Sequence, residues 1–235
     1  MKKLLIILTL LSFYIFVNGQ QNIGLKIDGG LSKITNPFVA SNVTSTTQFS
    51  ISGKIGFFYN YSLSKKSFIG TELLFIQIES KEKWEMSAQN QVAEPTDEFV
   101  ITNINKHISY VGIPVYYEFK LNKLSLNIGG QVTFAIASSG RYKTIYPDNG
   151  SIINWDTTYS KLNIDSYDFG VRAGINYNLT NNFYIEGEYY YGLNNILKNT
   201  PTYWKWKVQQ MTIGIRYKFI SIEGKKDKTE NKLSQ

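Results

Sequence analysis

The sequence predicts an all-β protein, an eight-stranded antiparallel up-and-down transmembrane β-barrel. Three observations carry that prediction. Apolar and polar residues alternate with period two along eight segments, the pattern of strands with one polar and one apolar face. The connections between these segments alternate between a few residues and long polar stretches. The polar face carries as many acids as bases with glycines between them, which suits a narrow interior where each charge needs a partner.

Composition agrees and excludes much else. The 235 residues include 25 Lys plus Arg, 18 Asp plus Glu, one His and no Cys, with 15% aromatic and 18% charged residues. That length suits one domain, or at most two. Without Cys there is no disulfide framework, thiolate metal site, catalytic thiol or lipid-modified N-terminal Cys, and a single His excludes a His-rich metal site. No phosphate-binding glycine loop, H-E-x-x-H or calcium-loop pattern occurs, so neither a metal nor a cofactor is expected. Low charge with many aromatic residues argues against disorder.

Taken in chain order, Met1-Lys2-Lys3, the apolar run Leu4 to Val17 and the small or polar Asn18-Gly19-Gln20 read as a secretory signal peptide over residues 1–19. The run falls short of the ~20 residues of a bilayer-spanning helix. Losing Lys2 and Lys3 takes the formal net charge from +7 to +5. The barrel domain is expected over residues 20–220. Residues 221–235, nearly neutral, are expected to be a disordered periplasmic tail.

The first strand alternates Ile23, Leu25 and Ile27 with Gly24, Lys26 and Asp28. Phe49 to Tyr61 sets Ile51, Ile55, Phe57 and Tyr59 opposite Ser52, Lys54, Gly56 and Asn60. Phe68 to Ile78 is less regular, because Leu74 and Ile76 share the side of Glu72. Ile108 to Leu121 sets Val111, Ile113, Val115, Tyr117 and Phe119 opposite Gly112, Pro114, Tyr116 and Glu118. Leu124 to Ala137 is the clearest alternation, and Tyr167 to Leu179 repeats it with Asp168 and Arg172 on the polar side. Phe183 to Leu193 opposes Ile185, Tyr189 and Tyr191 to Glu186 and Glu188, and Met211 to Phe219 alternates with Arg216 and Lys218. Several of these segments reach the ~9–11 residues of a tilted membrane strand. Pro114 donates no ladder bond, so a bulge or an unpaired position is expected there.

Short connections lie at residues 62–66, 122–123 and 180–182, and long ones at 32–48, 79–105, 138–165 and 194–207. All tight turns then sit at one end and all long loops at the other, as in outer-membrane barrels. A soluble carrier barrel has the same topology with its apolar face inward, so the faces must decide. The polar face holds Lys26, Lys54, Lys120, Arg172, Arg216 and Lys218 against Asp28, Glu72, Glu118, Asp168, Glu186 and Glu188, a lumen charge network of six and six. On the apolar face Tyr59, Tyr61, Tyr117, Phe119, Tyr177, Phe183, Tyr217 and Phe219 lie beside the tight turns, as rings at a bilayer interface do. The apolar face is therefore expected to meet outer-membrane lipid.

The run Tyr110-Val111-Gly112-Ile113-Pro114-Val115-Tyr116-Tyr117-Glu118-Phe119 resembles the hydrophobic-Pro strand of the PorT-like outer-membrane β-barrel proteins. Asn127-Ile128-Gly129-Gly130, Asp168-Phe169-Gly170-Val171-Arg172-Ala173-Gly174 and Tyr189-Tyr190-Tyr191-Gly192-Leu193-Asn194-Asn195-Ile196 follow in the family's order. The resemblance implies a Gram-negative outer-membrane location in a family whose founding members assist secretion. The tail after Phe219 departs from the usual terminal aromatic residue.

An enzyme is not expected. His107, near Asp97 and Glu98 in sequence, reads as a solvated loop histidine without a recognisable nucleophile. Eight strands leave an interior that side chains can fill, whereas wide channels need about twice as many. The expected protein is non-enzymatic, with a plugged polar lumen, and acts through its external loops or periplasmic rim on a protein partner; the alternative is a narrow channel. No basic patch fits nucleic acid. Trp84, Trp155, Trp204 and Trp206 all fall in the long loops, and the Trp204-Lys205-Trp206-Lys207 run reads as the external girdle of the last hairpin or, as the alternative, a recognition edge.

Overall fold

The computed structural model describes residues 20–36, 43–87, 99–148, 151–198 and 205–222. They form β1 (Gln21–Thr35), β2 (Val43–Ser62), β3 (Ser67–Ser87), β4 (Phe99–Leu121), β5 (Leu124–Asp148), β6 (Ser151–Tyr159), β7 (Tyr167–Asn178), β8 (Phe183–Gly192) and β9 (Lys207–Ile222). Eight of the nine close a ring: each of β1 to β4 pairs with its successor, β5 passes to β7, and β7, β8 and β9 lead back to β1. All these pairings are antiparallel. The seam between β9 and β1 runs from Gln21↔Ile222 to Thr35↔Lys207.

The eight expected strands are all present, and a ninth, β6, arises inside the stretch expected as the loop 138–165. β5 serves two partners: Leu124–Phe134 pairs with β7, and Gly140–Asp148 pairs with β6. Between them Ile136 has no partner on β4, where Ser109 faces Ala137 and Tyr110 faces Ala135. This β-bulge lets β5 leave one neighbour and take another. The stretch expected as the loop 79–105 likewise holds strand, since β3 and β4 pair from Ser67↔Phe119 to Ser87↔Phe99. The tight turns are where they were expected; Asn122 takes the left-handed φ of 56° that Asn tolerates better than branched residues. Asn149 and Gly150 lie outside the described residues, but β5 and β6 pair up to Asp148↔Ser151 on either side of them.

Residues 1–19, expected to be a signal peptide, lie outside the described residues, as do 223–235 of the expected tail. Ser221 and Ile222, placed in that tail by sequence, are instead the last residues of β9.

Alternation sets the two faces. Ile51, Ile128 and Ile213 are 77%, 67% and 67% exposed, whereas Lys26, Arg172 and Glu186 are only 1–2% exposed. A water-soluble barrel would reverse this order, so the apolar face is the outer one. Phe119, Tyr177, Phe183, Tyr217 and Phe219 point outward at the turn end, where the Phe183 and Tyr217 rings pack at 4.8 Å.

The interior is filled partly through missing Cβ atoms. A Cβ on Gly70 would lie 2.3 Å from the Tyr116 ring, and one on Gly214 would lie 1.9 Å from the Asp28 carboxylate. These glycines are the places over which larger neighbours fold. Pro114 does not need a bulge: the β3–β4 ladder lapses between Thr71↔Val115 and Leu74↔Gly112 without changing register. The Thr71 hydroxyl donates to the Pro114 carbonyl at 2.9 Å across that gap.

Candidate functional site: the lumen and its external rim

The centre of the lumen holds an ion lattice built by strands far apart in sequence. β1 contributes Lys26 and Asp28, β2 Lys54, β3 Glu72, β7 Arg172, β8 Glu186 and Glu188, and β9 Arg216. Lys26 Nζ lies 3.3 Å from Asp28, 3.1 Å from Glu72, 2.5 Å from Glu186 and 3.4 Å from Glu188. Lys54 bridges Asp28 at 3.4 Å and also Glu188. Glu72 is the central acceptor, taking Lys26, Arg172 at 3.1 Å and Arg216 at 2.8 Å. Arg172 also reaches Glu188. Arg216 donates to the Tyr116 hydroxyl at 2.6 Å, and Tyr116 donates to Asn60 at 2.8 Å. The Arg216 guanidinium lies 4.3 Å from the Phe58 ring centre, and that of Arg172 lies 4.5 Å from the Tyr116 centre. Planar cations with several donors suit such shared acceptors.

Of the twelve residues assigned to the lumen network by sequence, nine join this lattice or its edge. Glu118 is at the edge, 3.9 Å from Arg216 and accepting from Ser125 at 2.7 Å. Asp168 is buried apart from the lattice and accepts from Tyr190 at 2.8 Å. Lys120 and Lys218 point inward but are half-buried at the turn-end mouth, and neither forms an ion pair among the described residues. The six-to-six balance is therefore corrected. Alternation assigns a face, not a depth, and these two lysines reach water at the mouth. Substituting either by Gln is expected to change stability by no more than about 0.5 kcal/mol, checked by urea titration of the folded protein in detergent.

Above the lattice the lumen becomes apolar. Leu74, Ile76 and Ile78 of β3 pack with Ile34, Ile108, Tyr110, Tyr190, Ile196 and Val208, all buried. Leu74 and Ile76, irregular in the sequence pattern, are the floor of this plug. Trp206 corrects the girdle expectation: it is 6% exposed and inside, and the Lys106 ammonium sits 3.7 Å from its ring centre. Lys106 also pairs with buried Glu82, which accepts from Trp84 at 2.6 Å and Ser45 at 2.9 Å. Sequence reasoning missed Glu82, inside the stretch 79–105 read as loop, and Lys106, just past its end, because the outward positions there are polar as well. Trp204 lies outside the described residues.

Beyond the plug, β3, β4, β5 and β6 continue as a raised sheet. Trp155 and Tyr159 of β6 are exposed, and the far edge of β6 pairs with no strand among the described residues. Arg141 Nε donates to Asp156 at 3.0 and 3.1 Å, a bond that holds the Asp156 carboxyl below its usual range. His107 is on the outward face of this sheet, in a cross-strand row with Glu79 and Ser139. Its Nδ1 is 3.6 Å from Glu79, and no hydrogen bond joins it to Ser139 among the described residues. It is a strand residue, not the loop residue expected.

The likeness to known proteins can be set beside this geometry. Comparison with curated proteins gives no match. Among solved structures, the chain is similar to the attachment invasion locus protein Ail of Yersinia pestis, at 14% identity over 86% of this chain and 99% of that one, with a TM-score of 0.38. It is similar to the outer membrane protein OprG from Pseudomonas aeruginosa, at 13% identity, 86% and 96% coverage and a TM-score of 0.39. The outer membrane protease OmpT from Escherichia coli shows 10% identity, 86% and 97% coverage and a TM-score of 0.35. Likeness of this size says nothing about activity or ligand. The family model described as outer membrane protein beta-barrel domain matches residues 18–198. With most of the chain matched and a closed antiparallel ring turned apolar side out, the protein belongs to the outer membrane protein β-barrel domain family, located in the Gram-negative outer membrane.

Proposed function

We propose that the protein is a non-enzymatic outer-membrane barrel that conducts no solute and acts as an interaction or secretion-accessory protein. The filling of the lumen carries this reading. Ion-paired side chains close its centre, and the apolar plug under Trp206 closes its loop end, so two dissimilar layers stand in the path of an ion. What remains outside is surface. The raised sheet with the open edge of β6 faces the exterior, and the lysine-bearing mouth faces the periplasm. An open strand edge suits pairing with an extended segment of another protein. The resemblance to PorT-like proteins supports a secretion-accessory role at the periplasmic rim.

Recording from planar bilayers containing the purified protein tests the reading. No steady single-channel current is expected. A stable conductance would overturn it in favour of the narrow channel. In that case Trp206→Ala would widen the path, and the current would grow.

A further inference from the structure

Between the ion lattice and the apolar plug lies a cavity of about 10 Å³, lined by Tyr110, Gln131, Thr133, Asp168, Tyr190 and Gln210 among others. On that measure it holds one guest the size of a water molecule. All six of these side chains are at least nine-tenths buried. Three of their oxygens, Asp168 Oδ1, Gln131 Oε1 and the Tyr110 hydroxyl, have no hydrogen-bond partner among the described residues. Two of those three can only accept.

Charge points the same way. The buried ionisable side chains among the described residues comprise seven carboxylates (Asp28, Glu72, Glu82, Glu118, Asp168, Glu186 and Glu188) and five cations (Lys26, Lys54, Lys106, Arg172 and Arg216). Lys106 balances Glu82, and the lattice sets four cations against five carboxylates. Asp168 is left with no ion pair among the described residues. Lys207 contributes only its field, and the backbone N–H groups of Phe169 and Asn194 donate to the carboxylate without neutralising it. A buried carboxylate without a counter-charge is costly, and here it faces a cavity ringed by neutral oxygens.

We propose that this cavity is a site for one monovalent metal cation of sodium size, held by the Asp168 carboxylate with the Tyr110 hydroxyl and the Gln131 carbonyl oxygen. The donor set is all oxygen, which selects hard cations over transition metals. One carboxylate with neutral ligands balances a single positive charge, whereas calcium sites draw on several carboxylates. The site neutralises one of the lumen's uncompensated charges and ties β4, β5 and β7 together at the level where the lattice ends.

The test uses the full chain folded in detergent micelles at constant ionic strength, with sodium chloride exchanged for choline chloride. The unfolding temperature and the ²³Na NMR linewidth are read together. The unfolding temperature is expected to rise saturably with sodium but not with choline, and the sodium line to broaden in the presence of protein. Asp168→Asn should abolish both effects. Tyr110→Phe keeps the carboxylate and guards against an unfolded Asp168 variant; it should raise the half-saturating sodium concentration several-fold. An equal response to sodium and choline would overturn the proposal, as would a sodium response that survives Asp168→Asn or an unchanged half-saturation in Tyr110→Phe.

Discussion

Replacing Glu72 by Gln is expected to lower the stability of the folded barrel by about 3–5 kcal/mol. Glu72 is fully buried and is the acceptor shared by Lys26, Arg172 and Arg216. An amide can still accept a hydrogen bond, but it cancels none of the three positive charges. The loss is local rather than one of net charge, since four carboxylates would still face four cations: no other acid stands where Lys26, Arg172 and Arg216 converge. Urea unfolding in detergent, followed by the mobility difference between folded and unfolded forms on cold gels, measures it. Glu118→Gln provides the comparison. Glu118 lies at the lattice edge, 3.9 Å from Arg216 and near the turn-end mouth, and its loss should cost clearly less. Equal costs at the two positions would show that the lattice has no centre.

Replacing Trp206 by Ala is expected to cost about 3–5 kcal/mol by a different route. The indole is almost wholly buried at the loop end and packs in the cluster with Ile34, Ile108 and Val208. Its ring also carries the Lys106 ammonium at 3.7 Å. A desolvated cation over an indole contributes about 2 kcal/mol, so truncation removes packing and cation support together. Trp206→Leu should recover part of the packing and none of the cation contact. Stability of the two variants, measured by the same urea titration, separates the contributions. If Ala and Leu are equally destabilising, the cation contact dominates; if Leu restores the wild-type midpoint, it contributes nothing.

The ring was legible in the sequence for a physical reason. Each strand between lipid and a polar lumen must alternate, so Ile23, Leu25 and Ile27 against Lys26 and Asp28 could be read directly. The raised sheet was not legible, because outside the membrane the contrast disappears. In Glu79-Ser80-Lys81-Glu82-Lys83 both faces are polar, and a strand there looks like a loop. Depth was hidden too: Lys218 and Arg216 share a face and are one step apart, yet one meets water and the other Glu72. Trp206 deceived for a similar reason. A Trp beside lysines fits an interfacial girdle, and only the arrival of Lys106 from β4 and Ile34 from β1 shows it to be interior. The Asp168 cavity required three dimensions, since Tyr110, Gln131 and Asp168 come from three strands.

The seam between β1 and β9 has a consequence for how the molecule is made. Gln21 meets Ile222, so the ring cannot close until the last strand has left the biosynthetic machinery and crossed to the membrane. Contacts so distant in sequence are slow to form. Until then Lys26 on the first strand has neither Glu186 nor Glu188, and Glu72 lacks Arg216. The half-made wall must keep its charges hydrated while its other face already seeks lipid. Assembly is therefore committed late and all at once: drying of the interior, neutralisation of its charges and closure of the hydrogen-bonded ring are one event.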